Sequence, residues 1–268
     1  MIYLSSFLLS QRKVNNPNLY PYSVFREKEI EPFVFAPITV FYGNNGYGKS
    51  TLLSLIAQKI GAEGTDTYAY GQRYIDQFLS ECSYGLGDND WGQEVPLPKC
   101  RRYIKSEDIL YEIKKIQQED ALEGGYIYEM VHNRGMTKES AKKALYAKQG
   151  ADSRMEILKF AQEKYSNGET AMQILLDEMQ PDALYLLDEP EVSLSPQNQA
   201  RLADEINKYA RLLGCQFILA SHSPFLLGTL QGKIYDLDSV QMEEKQWTSL
   251  ENVRYFYDFF KRHEKEFD

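Results

Sequence analysis

The sequence predicts an α/β protein, with a parallel sheet covered by helices, a β-rich N-terminal part and a small inserted helical lobe. First, an apolar run at 37–42 leads through a glycine-rich loop into a stretch with one apolar helical face. Second, apolar runs at 183–187 and 216–220 flank another amphipathic stretch. Strand, helix and strand in this order build a parallel sheet with a right-handed crossover. The apolar face of the first helix is formed by Leu52, Leu55, Ile56 and Ile60, and that of the second by Leu202, Ile206, Tyr209 and Leu213.

The glycine-rich loop fits the pattern G-x-x-x-x-G-K-[ST]. Glycines let backbone N–H groups turn towards phosphate oxygens, and the following helix adds the positive end of its dipole. Lys49 is expected to reach the β- and γ-phosphates of a nucleotide, and the Ser50 hydroxyl to ligate Mg²⁺. The alternative is a glycine-rich turn with a surface lysine. The predicted nucleotide contacts are Gly43, Asn44, Asn45, Gly46, Tyr47, Gly48, Lys49, Ser50 and Thr51.

The elements before and after this loop follow from local patterns. Strands are predicted at 2–9, 22–25 and 33–35. Residues 68–99 are rich in Gly, Asp, Asn and Pro, which is typical of irregular connections. Residues 106–149 turn helical, and we expect at most two short helices there, because no sustained heptad pattern indicates a coiled-coil arm.

The C-terminal part completes the predicted architecture. A last strand at 234–237 precedes a terminal helix that carries Val253, Phe256, Tyr257 and Phe260. We therefore expect residues 1–268 to form a single domain. Roughly 100–180 would be its helical lobe, and the remainder an α/β lobe that binds nucleotide.

Composition limits the classes of protein that fit. The 268 residues are 43% apolar, which suffices for a sizeable core. No apolar segment approaches about 20 residues and no signal peptide is recognisable, so a cytoplasmic location without membrane insertion is expected. The net charge of −9 disfavours broad adhesion to nucleic acid or anionic membranes. Cys82, Cys100 and Cys215 lack the spacing of a metal site and are predicted to be buried thiols.

A second chemical motif closes the strand at 183–187. Asp188 and Glu189 follow that strand directly, and adjacent side chains diverge, which suits two different roles. Asp188 is expected to hold Mg²⁺, directly or through water. Glu189 is expected to orient the attacking water or accept its proton. Taken alone, two acids after a strand also fit a solvated loop.

Further motifs occur in the order found in ABC-type ATPases. Residues 165–169 resemble the ABC signature in its S-x-G-E form, 188–191 with 194–196 resemble the acidic motif and D-loop, and 221–224 resemble the histidine switch. The chain therefore resembles the ABC-type P-loop NTPases, which bind ATP and Mg²⁺. The residues that carry the match are Ser166, Gly168, Glu169, Asp188, Glu189, Ser195 and His222.

The resemblance implies roles for these residues. Lys49, Glu189 and His222 would be catalytic, with His222 contacting the γ-phosphate. The signature residues Ser166, Gly168 and Glu169 would complete the site of a second copy, giving a homodimer that sandwiches ATP, with Ser195 at the interface. Glu191 is expected to be an exposed acid without a catalytic role.

The residues within these motifs resemble those of the SMC, RecF and overcoming-lysogenization-defect group, and most closely those of its compact bacterial ATPases labelled AAA family. This implies a role in DNA maintenance or anti-phage defence with a separate effector protein. Two alternatives stay open. One is a nucleotide-binding subunit of an ABC transporter, and the other is a slow ATP-dependent switch that regulates a toxin or nuclease partner.

Three further features are left open by the sequence. The Q-loop could lie at Gln72, at Gln93 or at 105–107, and the last position is favoured because it directly precedes the helical lobe; Arg26 is a candidate for contacting adenine. A basic segment could contact DNA phosphates or could be a solvated helix face. Its residues are Arg134, Lys138, Lys142, Lys143 and Lys148.

Overall fold

A computed structural model describes residues 1–65, 71–132, 136–137, 139–140 and 167–267. The chain divides into two compact units. The first unit comprises Met1–Ser106, Met179–Val192 and Gln199–Asp268, and the second comprises Glu107–Glu178 and Ser193–Asn198.

Strands and helices occur in groups in the N-terminal part of the chain and alternate from residue 167 to residue 236. In chain order the strands are β1 (Leu4–Leu8), β2 (Phe33–Val34), β3 (Ile38–Tyr42), β4 (Ser83–Asp88), β5 (Glu94–Val95), β6 (Cys100–Lys105), β7 (Ala183–Asp188), β8 (Gln216–Ala220) and β9 (Lys233–Asp236). The helices are α1 (Lys49–Ile60), α2 (Gln72–Glu81), α3 (Ser106–His132), α4 (Asn167–Asp177), α5 (Pro196–Leu212), α6 (Pro224–Thr229) and α7 (Glu251–Arg262). Short 3₁₀ turns lie at Trp247–Ser249 and Glu264–Glu266.

A parallel sheet forms the centre of the first unit, with strand order β6-β7-β8-β3-β9. Every residue of β3, β7 and β8 is buried. Continuous burial is typical of parallel strands that are covered on both faces, which explains their uninterrupted apolar runs. The predicted α/β class is confirmed. Because the strands are parallel, the segments that follow them emerge at one edge of the sheet.

A second, antiparallel sheet contains the N-terminal strand, in the order β2-β1-β4-β5. One buried side chain, that of Gln216, links it to the parallel sheet. Its Oε1 accepts the N–H groups of Tyr3 and Leu4, each at 2.9 Å. Its Nε2 donates to the carbonyl oxygens of Leu4 at 2.8 Å and Ala36 at 3.2 Å. Gln216 is fully buried, so these four bonds satisfy its amide completely.

Two predictions for the N-terminal half are wrong. Residues 22–25 form a turn rather than a strand. Tyr22 and Phe25 are nevertheless buried, because their rings pack on Phe78 with centroids 4.8 and 6.2 Å away. The segment predicted as irregular contains α2, β4 and β5. Gly87 suits β4 because a Cβ there would lie 2.0 Å from the carbonyl oxygen of Ile2, so this glycine marks a close backbone approach rather than a loop.

The start of the helical region differs from the expectation of at most two short helices over 106–149, since α3 is a helix of 27 residues; most of 133–149 lies outside the described residues. Ile109 and Ile113 lie one turn apart and are both buried. The pair Gly124-Gly125 lies within this helix. Each glycine costs about 1 kcal/mol relative to alanine, which the long helix tolerates. The predicted helix after the signature motif is confirmed as α4.

The terminal helix is confirmed as α7. Of its predicted apolar face only Val253 is buried, and Phe256, Tyr257 and Phe260 are exposed. Cys82 and Cys215 are buried as predicted, whereas Cys100 is half-buried. Burial raises the pKa of the Cys82 thiol to about 11. None of the helices in the described ranges combines the length and apolar character that a bilayer crossing requires.

Glu81, at the end of α2, is the centre of a polar cluster. It accepts hydrogen bonds from the Ser10 hydroxyl, from Arg12 Nη1 at 2.9 Å and from the Tyr22 hydroxyl at 2.9 Å. Burial alone would raise the pKa of Glu81, but these hydrogen bonds outweigh it and hold the pKa below the ordinary 4.5. Burial and the bond to Glu81 raise the pKa of Tyr22 to about 12. The charged carboxylate therefore stabilises the fold.

Replacing Glu81 with Gln is expected to lower the free energy of unfolding by about 1–3 kcal/mol near pH 7, because bonds to a charged acceptor are weakened. The folded pKa lies below the unfolded one, so the stabilisation is complete above the unfolded pKa and is lost as the pH falls through the folded pKa. Urea denaturation of the wild type and the variant, near neutral pH and at about pH 3, measures the difference in unfolding free energy at each pH. The difference between wild type and variant should shrink in acid, and an equal difference at both pH values would contradict this reading. Asp76→Asn, an exposed carboxylate on the same helix, should change stability by less than about 0.5 kcal/mol.

Candidate functional site

Three of the segments that carry predicted motifs meet at the carboxyl edge of the parallel sheet. The glycine-rich loop follows β3, Asp188 ends β7, and Ser221 follows β8. β8 lies between β3 and β7 in the sheet, so the three segments are neighbours. In open parallel sheets this edge is the usual place for a ligand.

The loop is held in the curled conformation that its glycines permit. Gly46 has φ +88° and Gly48 has φ +90°, values that favour glycine. A Cβ on Gly48 would lie only 2.5 Å from Val24 Cγ1, whereas a Cβ on Gly46 would meet no atom within 4 Å. Gly48 is therefore required both by its conformation and by its close contact with the turn that contains Val24.

This difference predicts separable effects of two alanine substitutions. Gly46→Ala should lower the unfolding free energy by about 1–2 kcal/mol, because alanine is less stable than glycine in a left-handed conformation. Gly48→Ala should cost clearly more, because it also overlaps Val24. Val24→Ala should restore part of the loss in the double variant, a coupling that a double-mutant cycle in urea measures. Strictly additive effects of Val24→Ala and Gly48→Ala would show that the contact with Val24 carries no energy.

Lys49 is buried at the base of the loop, with 4% of its side chain exposed. Its Nζ lies 2.7 Å from the carbonyl oxygen of Gly43 and 3.3 Å from that of Asn44. It also lies 3.4 Å from Glu189 Oε1. A buried ammonium group needs such partners, because an unpaired buried charge is costly. The lysine is thus fixed beside both the loop and the acidic motif.

Ser50 and Asp188 are in direct contact. The Ser50 hydroxyl donates to Asp188 Oδ1 at 3.0 Å, and the Tyr103 hydroxyl donates to Asp188 Oδ2 at 3.0 Å. Burial raises the pKa of Asp188, and the bonds from Ser50 and Tyr103 oppose that rise. The hydroxyl and the carboxylate are oxygen donors of the kind that Mg²⁺ prefers, so these two residues fit the predicted metal contact.

Glu189 adopts an unusual backbone conformation, with φ +48°, which a non-glycine residue seldom takes. Its N–H donates to the carbonyl oxygen of Ala220 at 3.0 Å, which ties it to the end of β8. Its carboxylate lies 3.8 Å from His222 Nδ1 and is 29% exposed. The structure therefore brings together Lys49, Glu189 and His222, the residues predicted to be catalytic.

A cavity of about 320 Å³ opens above this cluster. The loop and Glu189 contribute polar groups to its wall, and Val24 adds an apolar contact. Its size lies at the lower end of the range of small-molecule sites. The lining residues are Val24, Asn45, Gly46, Gly48, Lys49, Ser50, Thr51 and Glu189.

The expectation that Glu191 is an exposed acid is wrong. Only 5% of Glu191 is exposed, and its Oε1 accepts the Ser221 hydroxyl at 2.8 Å and the His222 N–H at 2.9 Å. The cause is a turn after β7, in which Glu189 and Ser193 both have positive φ. This turn directs Glu191 inwards to the end of β8. Burial raises the pKa of its carboxyl, and the bonds from His222 and Ser221 oppose the rise.

Two residues near the loop had no part in the sequence motifs. Asp238 accepts the Asn44 N–H at 2.9 Å and the Asn44 side-chain amide at 2.9 Å, which anchors the start of the loop. It follows β9, and an acid just after a strand is the same signal that singled out Asp188. Tyr103, which contacts Asp188, lies within β6 and carries no sequence signal.

Tyr47, one of the predicted nucleotide contacts, is 46% exposed, and Lys28 Nζ lies 5.3 Å from the centre of its ring.

Comparison of the sequence with protein families identifies the family to which the chain belongs. The family described as "ABC transporter" matches residues 36–192, more than half of the 268 residues, including the loop and Asp188. The chain belongs to the ABC family of P-loop ATPases. A second family, described as "AAA domain, putative AbiEii toxin, Type IV TA system", matches residues 163–228. No curated protein sequence matches the chain.

Solved structures with similar folds include two SMC heads and one ATP-binding cassette. An Smc head domain of Pyrococcus furiosus, bound to the C-terminal domain of ScpA, is 15% identical over 88% of this chain and 93% of its own, with a TM-score of 0.42. The SMC head domain of Thermotoga maritima is 14% identical over 88% and 94%, with a TM-score of 0.42. A nucleotide-free cassette from an ABC transporter is 13% identical over 96% of both chains, with a TM-score of 0.45. The family assignment rests on the sequence match rather than on these likenesses.

The ABC signature and D-loop are partly described. Ser166 lies outside the described residues, and Gly168 and Glu169 belong to the first turn of α4. Ser195 directly precedes α5, and its hydroxyl accepts the Asn198 N–H at 3.3 Å. A serine in this position caps a helix, and Pro196 suits its first turn.

Of the Q-loop candidates of this ABC-family chain, only 105–107 lies at the site. Lys105 pairs with Asp188 across the sheet, and the Ser106 hydroxyl contacts the carbonyl oxygens of Asp188 and Glu189. Gln72 begins α2, and Gln93 lies in the turn between β4 and β5. Arg26 lines a separate cavity of about 420 Å³ beside the N-terminal segment. The basic segment from Arg134 to Lys148, for which a DNA contact and a solvated helix face were both left open, has all five of its cationic residues outside the described part.

Proposed function

We propose that this chain binds and hydrolyses ATP with Mg²⁺, as a homodimer that sandwiches the nucleotide. The observation that carries the proposal is that Lys49, Ser50 and Glu189 line one cavity at the carboxyl edge of the sheet, with Asp188 in contact with Ser50. This arrangement joins a buried cation, a pair of oxygen ligands for a metal ion and a partly exposed carboxylate. Phosphoryl transfer needs these three kinds of group.

In the proposed reaction, backbone N–H groups of the loop and Lys49 hold the β- and γ-phosphates. Ser50 and Asp188 would hold Mg²⁺, which neutralises charge on the phosphate oxygens. Glu189 orients the attacking water and accepts its proton. His222 contacts the γ-phosphate, and its distance of 3.8 Å from Glu189 fits a joint action of the two side chains.

The dimer is inferred from the signature motif. Ser166, Gly168 and Glu169 are proposed to contact ATP held by the loop of a second copy, with Ser195 near the same interface. The γ-phosphate would then be bound from both sides. Its hydrolysis would remove contacts that keep the dimer closed, so ATP acts as a switch.

The biological role that we propose is that of an SMC/RecF-like ATPase in DNA maintenance or defence, working with an effector protein. The motif wording and the match of 163–228 to the AAA family support it, and the description of that family as a toxin of a type IV TA system favours a defence setting. A second candidate is the nucleotide-binding subunit of a transporter. The family described as "ABC transporter" favours it.

Phosphate release and solution mass test the proposal together. With Mg-ATP, the wild-type chain should release phosphate, and with a non-hydrolysable ATP analogue its mass by light scattering should double. Ser166→Arg should abolish the doubling while analogue binding is retained. Absence of ATP binding would overturn the proposed activity. Binding without a mass change would overturn the homodimer and favour a transporter subunit, which co-purification with a membrane protein would reveal.

A further inference from the structure

Glu191 holds the segment that follows β8. A single carboxylate oxygen, Oε1, accepts both the Ser221 hydroxyl and the backbone N–H of His222. From the other side, the Asn252 side-chain amide donates to the carbonyl oxygen of His222 at 3.1 Å. The backbone of His222 is therefore fixed on both sides, and the acid next to it is almost completely buried.

Two polar atoms in this cluster lack hydrogen bonds. Among the described residues, Glu191 Oε2 and His222 Nδ1 are both buried without a partner. His222 Nδ1 lies 3.5 Å from Glu191 Oε1, just beyond a good hydrogen bond. A buried donor or acceptor that stays unsatisfied costs about 1–3 kcal/mol. A small rotation of either side chain that brings Nδ1–H onto Glu191 Oε2 would satisfy both atoms.

Glu189 is the competing acceptor, since its Oε1 lies 3.8 Å from the same nitrogen. It is already shared with Lys49 at 3.4 Å and is 29% exposed, so water can solvate it. Glu191 has an uncommitted oxygen and is closed off from water. A hydrogen bond from His222 Nδ1–H would therefore stabilise Glu191 more than Glu189.

We propose that Glu191 is a positioning residue that accepts the Nδ1–H of His222 and thereby presents Nε2 as the free acceptor nitrogen. This inference deepens the proposed ATP hydrolysis and rests on it for its catalytic meaning. The His222 side chain is 41% exposed although Nδ1 is buried, so the accessible part of the ring is its other edge. The bond made by one imidazole nitrogen decides which form the other takes. Glu191 would thus select the form of His222 whose Nε2 can accept a hydrogen bond from the water that attacks the γ-phosphate.

The imidazole form is measurable without nucleotide. The chain has three histidines, so long-range ¹H–¹⁵N NMR spectra resolve them, and a His222→Asn variant identifies the signal of interest. In the wild type, His222 should carry its neutral proton on Nδ1. In Glu191→Gln the amide still offers an oxygen to Ser221 and the His222 N–H but has no charge, and the proton should move towards Nε2. A proton on Nε2 in the wild type would overturn the proposal even if the variant does not fold.

Kinetics with a matched control separate positioning from general damage. Glu191→Gln should lower kcat for ATP hydrolysis by about 10- to 100-fold with little change in ATP affinity, as expected for a group that orients another. Ser221→Ala removes a hydrogen bond to the same carboxylate oxygen but keeps the charge, so the Nδ1–H form should persist and kcat should fall less. Equal losses in both variants, or an unchanged kcat in Glu191→Gln, would overturn the positioning role.

The two proposals fail in different ways. If the wild type releases no phosphate but the NMR spectra change as expected, the hydrolysis is refuted and the contact between Glu191 and His222 stands. If phosphate is released and the spectra of wild type and Glu191→Gln agree, the contact is refuted and the hydrolysis stands.

Discussion

Replacing Glu189 with Gln should lower kcat for ATP hydrolysis by about 10²- to 10⁴-fold, the range for losing a general base. Glutamine has the same shape but cannot take a proton from water. Affinity for ATP should not fall, because the substitution removes a negative charge 3.4 Å from Lys49 and leaves that cation to the phosphates. Single-turnover phosphate release and binding of a fluorescent ATP analogue measure the two quantities.

The control for this experiment is Glu94→Gln, which changes an exposed glutamate on β5, in the antiparallel sheet. Its kcat should equal that of the wild type. If Glu189→Gln hydrolyses ATP within a factor of about three of the wild type, Glu189 is not the base and the acid–base argument fails.

Replacing Lys49 with Met should weaken ATP binding by about 100-fold or more. Charge-assisted bonds contribute about 1.5–3 kcal/mol each, and about 1.4 kcal/mol corresponds to a tenfold change in affinity. Methionine keeps most of the side-chain volume, so the buried space beneath the loop stays filled. Glu189 loses a partner but is partly exposed and can be solvated, so the fold should survive.

Isothermal titration with Mg-ATP measures the affinity, and thermal unfolding checks the fold. Lys59→Met is the matched control, because Lys59 lies in the last turn of the same helix, where its Nζ donates to the carbonyl oxygen of Leu79. That variant should bind ATP like the wild type. Unchanged affinity in Lys49→Met would refute the phosphate-binding role of the loop.

Local spacing in the sequence predicted the features that depend on neighbouring residues. The loop from Gly43 to Ser50 and the acidic end of β7 are each encoded within a few positions. Their meeting follows from one rule, that the carboxyl ends of parallel strands share an edge. The sequence therefore predicted that Ser50 and Asp188 lie close together at the same Mg²⁺ site, and the two side chains are in contact.

Features that depend on distant packing were not foreseeable. Glu191 looked like a surface acid because an acid after a strand is usually solvated, and only the turn after β7 directs it inwards. Residues 22–25 looked like a strand because Tyr22 and Phe25 are apolar, although they are buried by contact with Phe78 in a turn. Tyr103 has its role only because β6 pairs with β7.

The link through Gln216 has a consequence for the order of folding. Its bonds to Tyr3 and Leu4 join residues 213 and 212 positions apart. Closing so long a loop lowers the entropy of the chain. The hydrogen bonds of Gln216 offset this loss only once β8 lies in place within its own sheet. The N-terminal strand should accordingly attach late, and the Tyr3 and Leu4 amides should exchange with solvent sooner than those of β7 and β8 when the unit opens.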